Sequence, residues 1–151
     1  MRSDYLNDSS GVSNVDNKVE YLTASRTLVA DDSGKVLVLS VAGGLTVTLP
    51  SAAPGLNFKF IVGTTFSTAG QINTAATDEL YVGQLNIVDP ATAGDMNSFS
   101  ADVSNDDTID LGSIEQGWLV GGWFNLVALS DIRWHVEGQL VGDATLATPF
   151  Q

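Results

Sequence analysis

The sequence predicts an all-β fold: a single β-sandwich or jelly-roll-like domain, residues 19–151, preceded by an extended polar N-terminal arm, residues 1–18. Three observations predict it. Only 16% of the residues are charged while 44% are hydrophobic, against about 25% charged in an average soluble domain, a balance suited to short buried strands. From Val19 onward apolar and polar positions alternate with period two, the mark of strands with one buried face. Fifteen glycines and four prolines punctuate that pattern, and no window sustains a helical period with capping signals. Roughly nine or ten short strands at such spacing read as a sandwich or jelly roll.

The arm is rich in Ser, Asn and Asp, with isolated apolar positions such as Tyr5, Leu6, Val12 and Val15, too few to offset the entropy of ordering. Val36–Leu39 is an apolar β run announced by the Ser33-Gly34 turn signal, and Leu45, Val47 and Leu49 alternate with Thr46 and Thr48. Gly43-Gly44 between them predicts a hairpin. Pro50 and Pro54-Gly55 end that strand, since proline donates nothing to a ladder and glycine accepts turn geometry. Further strands are expected at Phe58–Val62, around Gln71–Asn73, at Leu80–Val82 and at Leu85–Val88. Asp89–Asn97 reads as the longest internal loop. Thr108–Gly112 is a short strand, and Gly117–Leu129 a long one with a bulge at Gly121-Gly122. The clearest pair closes the domain: Trp123–Leu129, a turn at Ser130-Asp131, then Ile132–Gly138 with Ile132, Trp134 and Val136 on one face and Arg133, His135 and Glu137 on the other.

A chain of 151 residues fits one compact domain. Eighteen acidic against six basic residues give a net charge of −12, which repels polyanions and disfavours nucleic acid and anionic membrane surfaces as partners. There is no cysteine, so disulfides and thiolate chemistry are excluded. Neither a signal-peptide apolar stretch nor a run long enough to span a bilayer is read in the chain, so synthesis in a cytoplasm is expected.

No catalytic, metal or cofactor residue is assigned. His135, the sole histidine, lies on the polar face of a predicted strand and reads as a surface residue more readily than as a triad member. The acidic pairs Asp78-Glu79 and Asp106-Asp107 offer carboxylates, yet nothing selects one pair for acid–base work. Asp102–Asp110 concentrates the oxygen ligands calcium uses but lacks EF-hand spacing, so a solvated acidic turn is the simpler reading. Gly43-Gly44 lacks the Gly-Lys-Ser/Thr tail of a phosphate loop. Of the tryptophans, Trp134 alternates with apolar neighbours and reads as core, while Trp118 and Trp123 stay open between core packing, an interface and a platform for a sugar ring.

The runs Leu22–Leu39, Gly43–Pro50 and Pro54–Val62, together with Trp123-Phe-Asn-Leu-Val127 and Trp134–Gly138, resemble a family of small β proteins encoded among tailed-phage head genes. The resemblance implies a capsid decoration, or cement, protein: a non-enzymatic virion component on the capsid exterior, commonly a homotrimer, bound to the major capsid protein, without cofactors and made in the host cytoplasm. It brings no catalytic residues and does not fix which positions touch the coat. The competing expectation is a carbohydrate- or receptor-binding β module of a phage fibre or knob.

Overall fold

The protein is described by a computed structural model covering residues 18–92 and 94–151; apart from Lys18, the expected arm lies outside the described residues. Among the described residues eleven strands form in chain order: β1 Val19–Leu22, β2 Arg26–Thr27, β3 Val36–Leu39, β4 Thr46–Thr48, β5 Asn57–Val62, β6 Gly70–Asn73, β7 Leu80–Val88, β8 Met96–Ser100, β9 Thr108–Leu111, β10 Trp123–Ala128 and β11 Arg133–Val141. Helical content among the described residues is limited to 3₁₀ turns at Ala30–Asp32 and Ile114–Gln116, so the fold is all-β. None of the helices is long and apolar enough to cross a membrane.

The strands build a seven-stranded sheet, ordered β1-β3-β5-β10-β11-β7-β8, and a four-stranded sheet, ordered β2-β4-β6-β9. From β1 to β6 the chain alternates between the sheets, so strands next to each other in sequence are not partners. This overturns the hairpin expected at Gly43-Gly44. β3 pairs in parallel with β1 and β5, and β4 in parallel with β2 and β6. The physical reason lies in Leu37, Val38 and Leu39, all buried: such a run suits a strand with neighbours on both sides. Gly44 instead turns a corner, at φ +75° and with space for no Cβ, which would meet the Ala69 carbonyl oxygen. Five of the nine ladders are parallel, whereas a jelly roll joins antiparallel strands in Greek keys.

The hairpin read at the end of the domain is present, with Val127 opposite His135 and Leu126 opposite Val136. The long strand expected from Gly117 is shorter: Gly117 (φ +93°) and Gly121 (φ +102°) take left-handed turns, and β10 starts only at Trp123. The expected strands 80–82 and 85–88 are one strand, β7, running in parallel beside β11 through Gly83. Gly83 holds φ +120°, and a Cβ there would overlap the Val136 carbonyl. β8 occupies part of the predicted 89–97 loop and extends beyond it.

One hydrophobic cluster draws side chains from both sheets, including Leu37, Phe58, Phe60 and Phe124 from the larger and Val47, Ile72 and Ile109 from the smaller. Phe60 stacks on Phe124 at 5.1 Å between centroids, and Phe58 meets Trp134 at 5.9 Å. Two fully buried aromatics have partners for their polar tips: Tyr81 Oη–H donates to the Ile72 carbonyl (3.0 Å), tying the sheets together, and Trp134 Nε1–H donates to Glu79 Oε2 (3.2 Å), whereas the Trp118 Nε1–H is buried without one among the described residues. Burial, with Asp107 and Glu79 nearby, pushes the Tyr81 phenol well above its ordinary value.

The two ends of the smaller sheet are finished differently. Beside β1 and β2, Arg26 grips both carboxylate oxygens of Asp32 at 2.8 Å, Lys35 reaches Asp32 Oδ1 at 2.6 Å, and the Val29 N–H donates to Asp32 Oδ2 at 3.0 Å. Glu20 on β1 accepts from Lys35 (3.0 Å) and from Arg26. Burial alone raises the Asp32 carboxyl, but the Lys35 and Val29 hydrogen bonds and the two cations outweigh it and hold the group below the usual range. Hydrogen bonds to Asp32 and Glu20 raise Lys35. At the other end, residues 149–151 lie along β9. Thr108 and Gln151 exchange backbone hydrogen bonds (2.9 and 3.0 Å), the Asp110 N–H donates to the Pro149 carbonyl (2.6 Å), and Phe150 is buried opposite Ile109.

Candidate functional site

Alternation along the strands of the larger sheet sends every second side chain away from the core. The ladder register then sorts those outward residues into lines. One line reads Tyr21, Val38, Ile61, Trp123, Gln139, Asn86 and Ser98 from β1 to β8. The next reads Val19, Val36, Lys59, Asn125, Glu137, Gln84 and Ser100. The face is therefore apolar over β1 and β3, mixed over β5, where Ile61 and Lys59 both point outward, and rich in amides over β11 and β7, with Trp123 at the boundary.

Two shallow clefts mark this face. One, of about 290 Å³, is lined by Gln84, Asn86, Trp123, Glu137, Gly138 and Gln139. The other, of about 330 Å³, includes Lys35, Asn57, Lys59, Asn125 and Glu137. Glu137 borders both. Lys59 Nζ sits 5.3 Å from the Trp123 ring centroid, a cation–π contact made from the β5 side of the indole. Asn125 Nδ2–H donates to Glu137 Oε1 at 3.4 Å, and Ser98 Oγ–H donates to Asn86 Oδ1. Lys35 is already paired with Asp32 and Glu20, so Lys59 and Glu137 are the charges left at the centre of this face.

The residues singled out from the sequence lie apart. His135 is half-buried on the outer face between Val127 and Val82, and among the described residues no hydrogen bond joins it to a carboxylate. Glu79 is buried beneath Trp134 while Asp78 is exposed, so that pair does not share a cleft. In the 102–110 loop each acid serves its own turn. Asp102 accepts from the Ser104 N–H (2.9 Å) and Asn105 Nδ2 (3.0 Å), which lowers its carboxyl. Asp106 accepts from the Asp102 N–H, and Asp107 from the Thr108 hydroxyl at 3.0 Å. Asp110 faces the other way, against Gln151 Nε2 at 2.7 Å, and burial raises it despite that bond. Among the described residues, no three His, Cys, Asp or Glu side chains are grouped to hold a metal ion.

The tryptophans divide cleanly. Trp134 is fully buried, Trp118 is half-buried against the core, and Trp123 is 38% exposed. The amides that share its cleft, Gln84, Asn86 and Gln139, were not singled out from the sequence. Their outward direction is legible in Gln84-Leu85-Asn86-Ile87, but the parallel pairing of β7 with β11 that brings them beside Trp123 leaves no local signal. No family model matches this chain, and neither a curated protein nor a solved structure matches it.

Proposed function

We propose that this chain is a non-enzymatic virion structural protein, a decoration protein that binds the outer surface of the expanded head of a tailed phage through the major capsid protein. The sandwich-like pair of sheets is the scaffold for that contact, and the subunit assembles as a homotrimer. The observation that carries the reading is the location of the apolar side chains left outside the core. Ten large apolar side chains are exposed among the described residues. Four of them, Val29, Val103, Leu129 and Ile132, lie on connections at one end of the stack, where β2, β8 and β10 finish and β11 begins, while Val19, Tyr21, Met96, Trp123 and Val127 lie along strands and Val120 on the connection before β10. Uncovered apolar groups gathered at one end favour a contact with another protein.

Further support comes from the chemistry. His135 and the acidic pairs are engaged locally or held apart, so the surface offers contact area more readily than a reaction centre. A net charge of −12 keeps an abundant, unassembled subunit away from the DNA being packaged. Selective binding to the expanded shell stabilises that state by mass action, and closed symmetry multiplies weak contacts into avidity.

The test is co-sedimentation of the full chain with empty expanded shells and with unexpanded precursors of the cognate coat protein, beside light scattering of the free chain. Trimers that pellet with expanded shells alone are expected. Leu129→Asp and Ile132→Asp, which place a charge on that end, are expected to lose at least tenfold in shell affinity while melting as the wild type does. A chain that pellets with neither shell sinks the proposal.

A further inference from the structure

The first outward position of β10 holds Trp123, and the fold leaves it 38% exposed although it buries the ring of Trp134 completely. Lys59 covers the indole from the β5 side. The cleft opens from the opposite side, toward β11 and β7, so one wall of that cleft is aromatic. The remaining wall is made of Gln84, Asn86, Gln139 and Glu137. From β10 across β11 to β7 is about 9–10 Å, two strand spacings, a span that accommodates a disaccharide unit.

Each component matches one feature of a sugar. An aromatic plane receives the apolar C–H face of a pyranose ring. Primary amides both donate and accept, as sugar hydroxyls do. The cleft beside Trp123 is lined by one carboxylate, Glu137, and by no lysine or arginine, so nothing in it selects an anionic chain, and the net charge of −12 works against one. A lone carboxylate, Glu137, lacks the second acid that glycoside cleavage requires, which points to binding without turnover.

We propose that this face is a binding site for a neutral oligosaccharide, with Trp123 as the stacking platform and Gln84, Asn86 and Gln139 as the groups that read its hydroxyls. The inference goes beyond the shell-binding reading and does not depend on it, since the cleft lies on the sheet face and the apolar residues Leu129 and Ile132 lie at the end of the stack. A decoration subunit with such a face holds the particle to glycans at a cell or mucus surface, and its repetition around the shell strengthens weak single-site binding.

Isothermal titration and tryptophan fluorescence of the full chain with cellohexaose, xylohexaose, mannohexaose and chitohexaose, with a heparin hexasaccharide as the anionic control, test it. At least one neutral hexasaccharide is expected to bind. Trp123→Ala then weakens it about tenfold or more, Gln139→Ala several-fold, and Trp123→Phe retains most of it, all three with wild-type melting. Trp123→Ala is expected to leave shell co-sedimentation unchanged, and Leu129→Asp to leave saccharide binding unchanged, so the two proposals fail separately. The inference is overturned by a wild-type chain that binds none of the four neutral probes, by Trp123→Ala binding as well as wild type, or by binding confined to heparin.

Discussion

The smaller sheet has two exposed flanks, and the protein closes them by different physics. On the β1 and β2 side, a carboxylate that is 3% exposed, Asp32, is ringed by Arg26, Lys35 and the Val29 N–H, with Glu20 as the outer acid. On the β9 side the closure is a strip of backbone hydrogen bonds and one buried ring, Phe150. Inward charges on an edge discourage further strands from adding, because a new neighbour would bury them unpaired. A covering segment gives the same protection by using up the edge donors and acceptors. The ionic closure is therefore sensitive to pH and salt, and the backbone closure is sensitive to loss of apolar volume.

Removing the centre of the ionic flank is expected to have the largest effect. Asp32→Ala leaves Arg26 and Lys35 facing each other without their shared acid and should cost about 3 kcal/mol, the low end for a broken buried ion pair, because the acid is buried while both cations are partly exposed, or a fall of roughly 6–12 °C in melting temperature for a domain of this size. Glu20→Gln, at the half-exposed rim, should cost under about 1 kcal/mol. Phe150→Ala on the other flank comes next, at about 2–3 kcal/mol, because residues 149–151 can relax into part of the space. Urea unfolding at low and high salt separates the two. The wild-type advantage over Asp32→Ala should shrink in 1 M sodium chloride, at a screening length of about 3 Å, while the advantage over Phe150→Ala should hold. Equal salt sensitivity would mean that the Asp32 network is a solvated rim with no closing role.

The same contrast marks what the sequence discloses. The β10–β11 hairpin is legible because both strands and the turn between them are neighbours in the chain, so alternation and Ser130-Asp131 suffice. Gly43-Gly44 carries as strong a turn signal, yet it reports only that the chain turns. Whether the next strand stays in the sheet or crosses to the other depends on Val36–Leu39 finding β1 and β5, which are distant in sequence. β8 carries no strand signal because Met96-Asn-Ser-Phe-Ser100 is polar and pairs on one side only. In the candidate site, the outward direction of Glu137 is legible in the alternation of Ile132–Gly138, while Gln139 lies beyond the strand read there. What made a site of them, the placement of β7 beside β11, is a long-range parallel pairing to which no turn or cap residue points.

The smallest effect has the opposite sign, and it follows from the acids on the two flanks. Asp32 is held below its unfolded value of about 3.9, so its contribution is fully present above that pH and is lost as pH falls through the lower folded value. Asp110, beside the covering segment on β9, is raised by burial, and its Oδ1 has no partner while Oδ2 accepts from Gln151. A raised acid favours the fold fully below about pH 3.9 and loses that contribution as pH rises through its folded value, so near neutrality its ionisation is a small liability. Asp110→Asn keeps an acceptor for Gln151 and removes the buried charge; a gain of about 0.5 kcal/mol at pH 7 is expected, disappearing on acidification toward pH 4. Melting temperatures of wild type, Asp32→Ala and Asp110→Asn measured from pH 7 to pH 3 check both signs at once. The wild-type lead over Asp32→Ala should collapse below about pH 4, and its deficit against Asp110→Asn should close before that point. A deficit that persists or grows as the pH falls would mean that the cost at Asp110 is one of fit and not of charge.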